Sequence, residues 1–169
     1  MDNGDGSRGA MCGNGIRGVG KYVYDRKLTR KTCLTIDTDA GPRGLELAVR
    51  GGKVEQVTVD MGQAILYPEV ELEAMGEQYT VHQVGVGNPH AVIFCPDPEG
   101  VRREELGPVL ECHPNLRERS NVEFVSCQDG HDLHVRVWER GSGITLACGT
   151  GACAAFEAAR QQGLCGSRA

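Results

Sequence analysis

The sequence predicts an α+β fold of two similar, mostly-β units, each curled around a central helix. Three observations carry this expectation. A tetrapeptide occurs twice, as Cys12-Gly13-Asn14-Gly15 and as Cys148-Gly149-Thr150-Gly151, each time opening a helix-like segment. The correspondence extends outward: Asn3 and Glu139 each stand nine positions before their cysteine, and Leu28 and Leu164 each stand sixteen after it. Self-similarity at a fixed offset implies two related units. The rest of the chain, rich in glycine (24 of 169 residues) and poor in aromatics (5%), alternates in short segments broken by turn residues, the pattern of strands and tight turns.

The first helix reads over 12–27, with Arg26, Lys27, Arg30 and Lys31 at its C-terminal end, where the dipole favours cations. Its first two turns are apolar or small (Ile16, Gly18, Val19, Gly20, Tyr22, Val23), interrupted by one polar stripe of Arg17 and Lys21. Strands follow over 32–37, 45–50 and 54–61, the last two joined by a Gly51-Gly52 hairpin turn. Residues 62–77 contain Pro68, several glutamates and little periodicity, which places the division between units there: 1–76 and 77–169. The second unit continues with strands over 78–86 and 91–95 and a helix over 101–111. Strands over 121–127 and 132–139 flank an Asp129-Gly130 turn. The second helix contains Ala152-Cys-Ala-Ala-Phe-Glu-Ala-Ala159, small or apolar on nearly every side, so it is expected to be enclosed by strands. Too few strands precede Cys12 and none follows Leu164, so both units are expected to be incomplete.

The net charge of −5 and the lack of a basic stripe with interleaved aromatics argue against nucleic-acid binding. No run is apolar and long enough for a membrane helix, and no signal peptide opens the sequence. The eight cysteines therefore read as reduced thiols of a cytoplasmic protein.

A thiol at a helix N-terminus meets unpaired backbone N–H groups and a favourable dipole, which promotes thiolate character. Two in matching settings suggest an acid and a base acting on opposite faces of one carbon. Other patterns point elsewhere. Gly13-x-Gly15-x-x-Gly18 spells a dinucleotide-binding fingerprint, but no strand precedes it, as that motif requires. His131-x-x-His134, with Cys112 and His113, is a candidate metal set, although the spacing on a strand sends the two rings to opposite faces. Cys153 reads as packing, and Cys33, Cys95, Cys112, Cys127 and Cys165 as ordinary buried or semi-buried thiols. No metal and no cofactor are expected.

The segments Asn3-Gly-Asp-Gly-Ser7, Met11-Cys-Gly-Asn-Gly-Ile-Arg17, Gly87-Asn-Pro-His-Ala91, Arg119-Ser-Asn-Val-Glu-Phe124, Glu139-Arg-Gly141 and Leu146-Ala-Cys-Gly-Thr-Gly-Ala-Cys153 together resemble diaminopimelate epimerase, in that family's order and over nearly the whole chain. The resemblance implies that the two units are pseudo-symmetric and barrel-like, each wrapped around its central helix, and it implies cofactor-independent interconversion of LL- and meso-2,6-diaminopimelate, a step toward lysine and peptidoglycan precursors. It implies Cys12 and Cys148 as the catalytic thiolate and thiol. The backbone N–H groups of Gly13, Asn14, Gly149 and Thr150 would hold the reacting carboxylate. Arg140 would pair the distal carboxylate, Asn3, Asn88, Asn121 and Glu139 would contact the distal amino-acid end, and His90 would assist one cysteine. Taken singly, these residues have plainer structural roles: Asn88 as a turn residue before Pro89, Asn121 at a strand end, His90 in the core, Glu139 and Arg140 as a solvated pair. Relatives are commonly homodimers, so the full-length protein is expected to be one, with diaminopimelate as its small-molecule partner.

The nearest rival is a proline or hydroxyproline racemase, which shares the twin-cysteine logic but commonly has His where Asn14 stands. The family pattern also includes an earlier Gly-Asn-Asp-Phe segment, a substrate-contacting Gln and strands after the second helix, none of which the sequence contains. The expectation is therefore an internal fragment, or a truncated gene model, of a functional epimerase, poorly soluble and with little activity alone.

Overall fold

The computed structural model describes Gly6 and residues 9–168. Helix α1 (Gly13–Asp25) leads into a three-stranded antiparallel sheet of β1 (Cys33–Ile36), β2 (Arg43–Arg50) and β3 (Lys53–Val59), in the order β1-β2-β3. Gly51 and Gly52, both at positive φ (59° and 77°), close the expected β2–β3 hairpin. α1 lies across β2 and β3, burying Ile16 and Gly20. A Cβ added at Gly20 would stand 2.8 Å from Leu45 Cδ2, so this glycine permits the close approach. The opposite side of α1 is open, with Val19 and Tyr22 47% and 57% exposed. The expected enclosed helix is thus covered on its sheet-facing side only, because three strands span only one flank of it.

The chain then builds a seven-stranded sheet from β4 (Ile65–Leu66), β5 (Val70–Ala74), β6 (Glu77–Gly85), β7 (Pro89–Phe94), β8 (Asn121–Gln128), β9 (Asp132–Glu139) and β10 (Gly143–Ile144), ordered β10-β9-β8-β7-β6-β4 with β5 also on β6. Helix α2 (Arg103–Glu111) joins β7 to β8, a parallel pair, as a crossover. Helix α3 (Gly149–Gln161) ends the architecture.

β4, β5 and β10 are absent from the sequence reading. β4 and β5 pair with β6, so the chain passes from one sheet to the other at residues 60–64, ahead of the division at 76/77 drawn from composition. Pro68 and the glutamates sit on an exposed edge, where they are tolerated.

Both faces of the larger sheet are covered. Leu72, Val81, Ile93 and Phe124 pack with Leu106 and Leu110 of α2, while Val84, Val92 and Val125 pack with Ala154, Ala155 and Ala158 of α3. The alanines explain the close seating of α3, although Ala152 and Arg160 on its outer side are exposed. Being buried on both faces, β8 reads as the near-continuous apolar run Val122-Glu-Phe-Val125, with one carboxylate inside it.

Candidate active site

The two tetrapeptides fold alike. Cys12 and Cys148 are the N-caps of α1 and α3, with φ/ψ of −130°/112° and −121°/116°. Each sulfur accepts from the backbone N–H three residues on: Gly15 to Cys12 Sγ at 3.3 Å, Gly151 to Cys148 Sγ at 3.4 Å. The helices also end alike. Lys27 and Gly163 take positive φ (61° and 70°), and the N–H groups of Leu28 and Leu164 return to Val23 O and Ala159 O, both at 2.9 Å. This is the 6→1 bond of a Schellman cap, and it gives the leucines sixteen residues beyond each cysteine the same place in both helices.

The N-termini of α1 and α3 abut. A Cβ on Gly13 would lie 3.4 Å from Gly149 Cα, and one on Gly149 would lie 3.4 Å from Gly13 Cα. Asn14 Nδ2 donates to Ala147 O across this seam at 3.2 Å. Glycine at both contact points lets the two backbones meet. The N–H groups of Gly13, Asn14, Gly149 and Thr150 belong to first turns and have no intrahelical acceptor, so the seam concentrates donors and two positive dipole ends.

At this seam lies a cavity of about 80 Å³. α1 contributes Cys12, Gly13 and Asn14 to its wall, and α3 contributes Cys148, Gly149 and Thr150. The segments leading into the two helices add Gly9, Ala10, Met11 and Ala147, and one end of the larger sheet supplies Asn88 just before β7, Asn121 at the start of β8, and Glu139 and Arg140 at the end of β9. The topology brings them together, because β7 and β8 run parallel with His90 opposite Asn121, while β9 returns antiparallel to β8. Asn3 lies outside the described residues. His90 is 1% exposed and stands behind the wall, its Nε2 3.1 Å from Asn88 Oδ1.

Polar contacts hold the wall in shape. Asn121 accepts at Oδ1 from the Arg140 N–H (2.9 Å) and donates from Nδ2 to Pro89 O (3.1 Å), tying three strand ends together. Arg140 Nη1 donates to Arg119 O at 3.2 Å. Glu139 Oε1 accepts from the Thr145 hydroxyl, and Asn14 Oδ1 from Arg17. Burial pushes the Cys148 thiol up, to about 11, and the Glu123 and Glu139 charges act the same way. Hydrogen bonds from the Thr150 hydroxyl and the Gly151 N–H oppose the shift. Cys148 is therefore a thiol at neutral pH, suited to donate a proton.

Glu123 escaped the sequence reading. Its side chain is fully buried, with Oε1 2.7 Å from His90 Nδ1. The available signal was a lone carboxylate inside an apolar strand, since charged residues are almost never fully buried without a partner.

The other candidates disperse. His134 faces Glu99 at 3.4 Å, His113 bonds Glu73 O, and His131 lies in the turn before β9. Among the described residues no group of three or more His, Cys, Asp or Glu converges as a metal site, and no helix is long and apolar enough to cross a membrane. All eight cysteines are free; Cys33 and Cys112 are exposed rather than semi-buried, because they sit at the start of an edge strand and just past the end of α2.

Solved structures share this architecture. A probable proline racemase from Agrobacterium radiobacter K84, with bound carbonate, superposes with a TM-score of 0.77 at 15% identity, covering 93% of this chain and 54% of that one. A hydroxyproline epimerase from Agrobacterium vitis, with bound trans-4-hydroxy-L-proline, gives 0.72 at 16% identity over the same shares. The fold is thus that of these racemase and epimerase structures. The sequence specifies more. The family profile described as diaminopimelate epimerase matches residues 1–67 and 82–169. The diaminopimelate epimerase of Methanococcus maripaludis strain C5 is 44% identical over all of this chain and 66% of its own length. That of Leptospira biflexa is 47% identical over 91% of the chain and 60% of its own length, and that of Parabacteroides distasonis 49% over 90% and 57%. The chain belongs to the diaminopimelate epimerase family, and it spans about three fifths of the length of these relatives.

Proposed function

We propose that this chain carries the active site of a cofactor-independent epimerase that interconverts LL- and meso-2,6-diaminopimelate, in the cytoplasmic supply of lysine and peptidoglycan precursors. The observation behind this reading is the pair of identically capped cysteines on abutting helix N-termini around one polar cavity. One sulfur, as thiolate, takes the α-proton. The C–H bond breaks, its electron pair stays on carbon and is delocalised into the carboxylate. The other sulfur, as thiol, gives its proton to the opposite face, and nothing is oxidised or reduced. The N–H groups of Gly13, Asn14, Gly149 and Thr150 meet the carboxylate where negative charge grows, which is the electrostatic work that a missing electron sink demands. Arg140, with its planar fork, suits the distal carboxylate; Asn3, Asn88, Asn121 and Glu139 suit the distal amino-acid end. Burial and the neighbouring carboxylates favour the thiol form of Cys148, which suits it to giving a proton.

The test is deuterium incorporation at the α-carbon of LL- and meso-diaminopimelate in D₂O, using the whole gene product. Cys12→Ser and Cys148→Ser should each lower exchange by about 10²–10⁴-fold, the usual worth of a positioned acid or base. Exchange unaffected by either substitution, or racemisation of L-proline with none of diaminopimelate, would overturn the reading.

A further inference from the structure

We propose that Glu123 is a buried positioning residue that orients the site through His90: it fixes the proton on the imidazole, and the imidazole fixes the Asn88 amide at the cavity wall. The proposal rests on the function proposed above for what Asn88 would meet, but not for its measurements.

The geometry is a chain of three side chains. Glu123 Oε1 lies 2.7 Å from His90 Nδ1, and His90 Nε2 lies 3.1 Å from Asn88 Oδ1. The carboxyl and imidazole are both fully buried, whereas Asn88 lines the cavity. With Asn88 Oδ1 as acceptor, Nε2 must carry a proton. A second proton then lies between Nδ1 and Oε1, either on the ring as an imidazolium–carboxylate pair or on oxygen as a neutral pair. In both forms the dyad holds one more proton than an imidazole beside a free carboxylate, and Asn88 keeps its Nδ2 donor turned away from His90. Without that proton, Nε2 would present a lone pair to Oδ1, and the amide would turn over to satisfy it.

Glu123 also reaches α3. A Cβ on Gly151 would lie 2.5 Å from Glu123 Oε1, so the last glycine of the second tetrapeptide is the residue that lets the helix settle on the carboxylate. The other oxygen, Oε2, is buried and has no hydrogen-bond partner among the described residues. An exposed loop carboxylate could be replaced freely; an unpartnered oxygen in the core is costly unless its charge or proton is used. The groups around Cys148 are Glu123 on β8, His90 bonded to it on β7, Glu139 and Arg136 on β9, Arg140 just past its end, and Cys12 at the N-cap of α1. Arg136 is paired with Glu99, so Glu123 and Glu139 are the carboxylates that disfavour a thiolate at Cys148.

Two measurements on the whole gene product test this. In the unsubstituted protein, ¹⁵N spectra of labelled histidine should show His90 protonated at Nε2 at neutral pH; protonation at Nδ1 alone overturns the proposal without need of any variant. In Glu123→Gln, which brings no exchangeable proton to share with the ring, the ¹⁵N profile of His90 should show Nδ1 moved toward the range of an unprotonated ring nitrogen, while Glu123→Asp, which keeps a carboxyl group, leaves it near the unsubstituted value. A Glu123→Gln profile that superimposes on the unsubstituted one overturns the proposal. Neither measurement uses turnover, so loss of the proposed epimerase reading in the deuterium assay is a separate result.

Discussion

Cys148 and Thr150 show how few atoms set the acid at this seam. The thiol stands at about 11 because burial and two carboxylates outweigh two hydrogen bonds, one of them from Thr150 Oγ1 at 3.4 Å. Thr150→Val removes that bond and keeps the shape, so the alkylation midpoint of Cys148 should move to still higher pH, whereas Thr150→Ser should leave it in place. A Thr150→Val midpoint below that of the unsubstituted protein would contradict the assignment. The same shift links to stability. An unfolded thiol titrates near 8.5, and a folded one held higher contributes stability that is fully present below that value and lost as pH rises toward 11. The unfolding free energy should therefore fall more steeply above pH 8.5 than in Cys148→Ser, by about 3 kcal/mol at the upper end; equal slopes in urea titrations would refute this. At this scale the sequence exposed the cysteines through their repeated neighbours, and it hid Glu123, because one glutamate among apolar residues is ambiguous until the strand is known to be covered on both faces.

Elements were legible where local chemistry marks their ends. α1 and α3 begin at the cysteine caps and stop where Lys27 and Gly163 turn left-handed, and the β2–β3 and β8–β9 hairpins were marked by Gly51-Gly52 and Asp129-Gly130. β4 and β10, two residues each, carry too little periodicity to be read. β5 does alternate, as Val70-Glu-Leu-Glu-Ala74, but Pro68 and the flanking glutamates made it look like a linker. What α1 rests on was not legible either, since no local pattern says which glycine faces a sheet. That distinction gives a paired prediction. A Cβ at Gly18 would meet nothing within 4 Å, so Gly18→Ala should stabilise by up to about 1 kcal/mol through helix propensity. A Cβ at Gly20 would press on Leu45 and Leu47 at 2.8 and 3.2 Å, both buried, so Gly20→Ala should destabilise by about 1–2 kcal/mol after the same propensity gain is subtracted. Thermal melts of the two variants should shift in opposite directions; a parallel shift would mean that α1 does not sit on β2 and β3 as described.

At the scale of the whole molecule, the two sheets communicate chiefly through one seam. Three strands carry α1, seven carry α3, and the helices touch where Gly13 faces Gly149. The pseudo-symmetry follows from that contact: each unit brings a capped helix, and a planar reacting carbon has two faces, so two like N-termini suffice for both. The same arrangement creates a liability, because two sulfurs aimed at one small cavity can be joined when no ligand separates them. Mild oxidation of the whole gene product should remove two hydrogens in mass and link the peptides containing Cys12 and Cys148, at a rate that rises with pH as thiolate forms. Either Cys→Ser substitution should abolish that link, and reductant should restore deuterium exchange. Added diaminopimelate should slow the oxidation if it occupies the cavity, while a dicarboxylate without amino groups should protect less. Oxidation that instead joins Cys127 to Cys165, leaving Cys12 and Cys148 free, would show that the sulfurs do not face each other, and the two-sided proton transfer would lose its geometric basis.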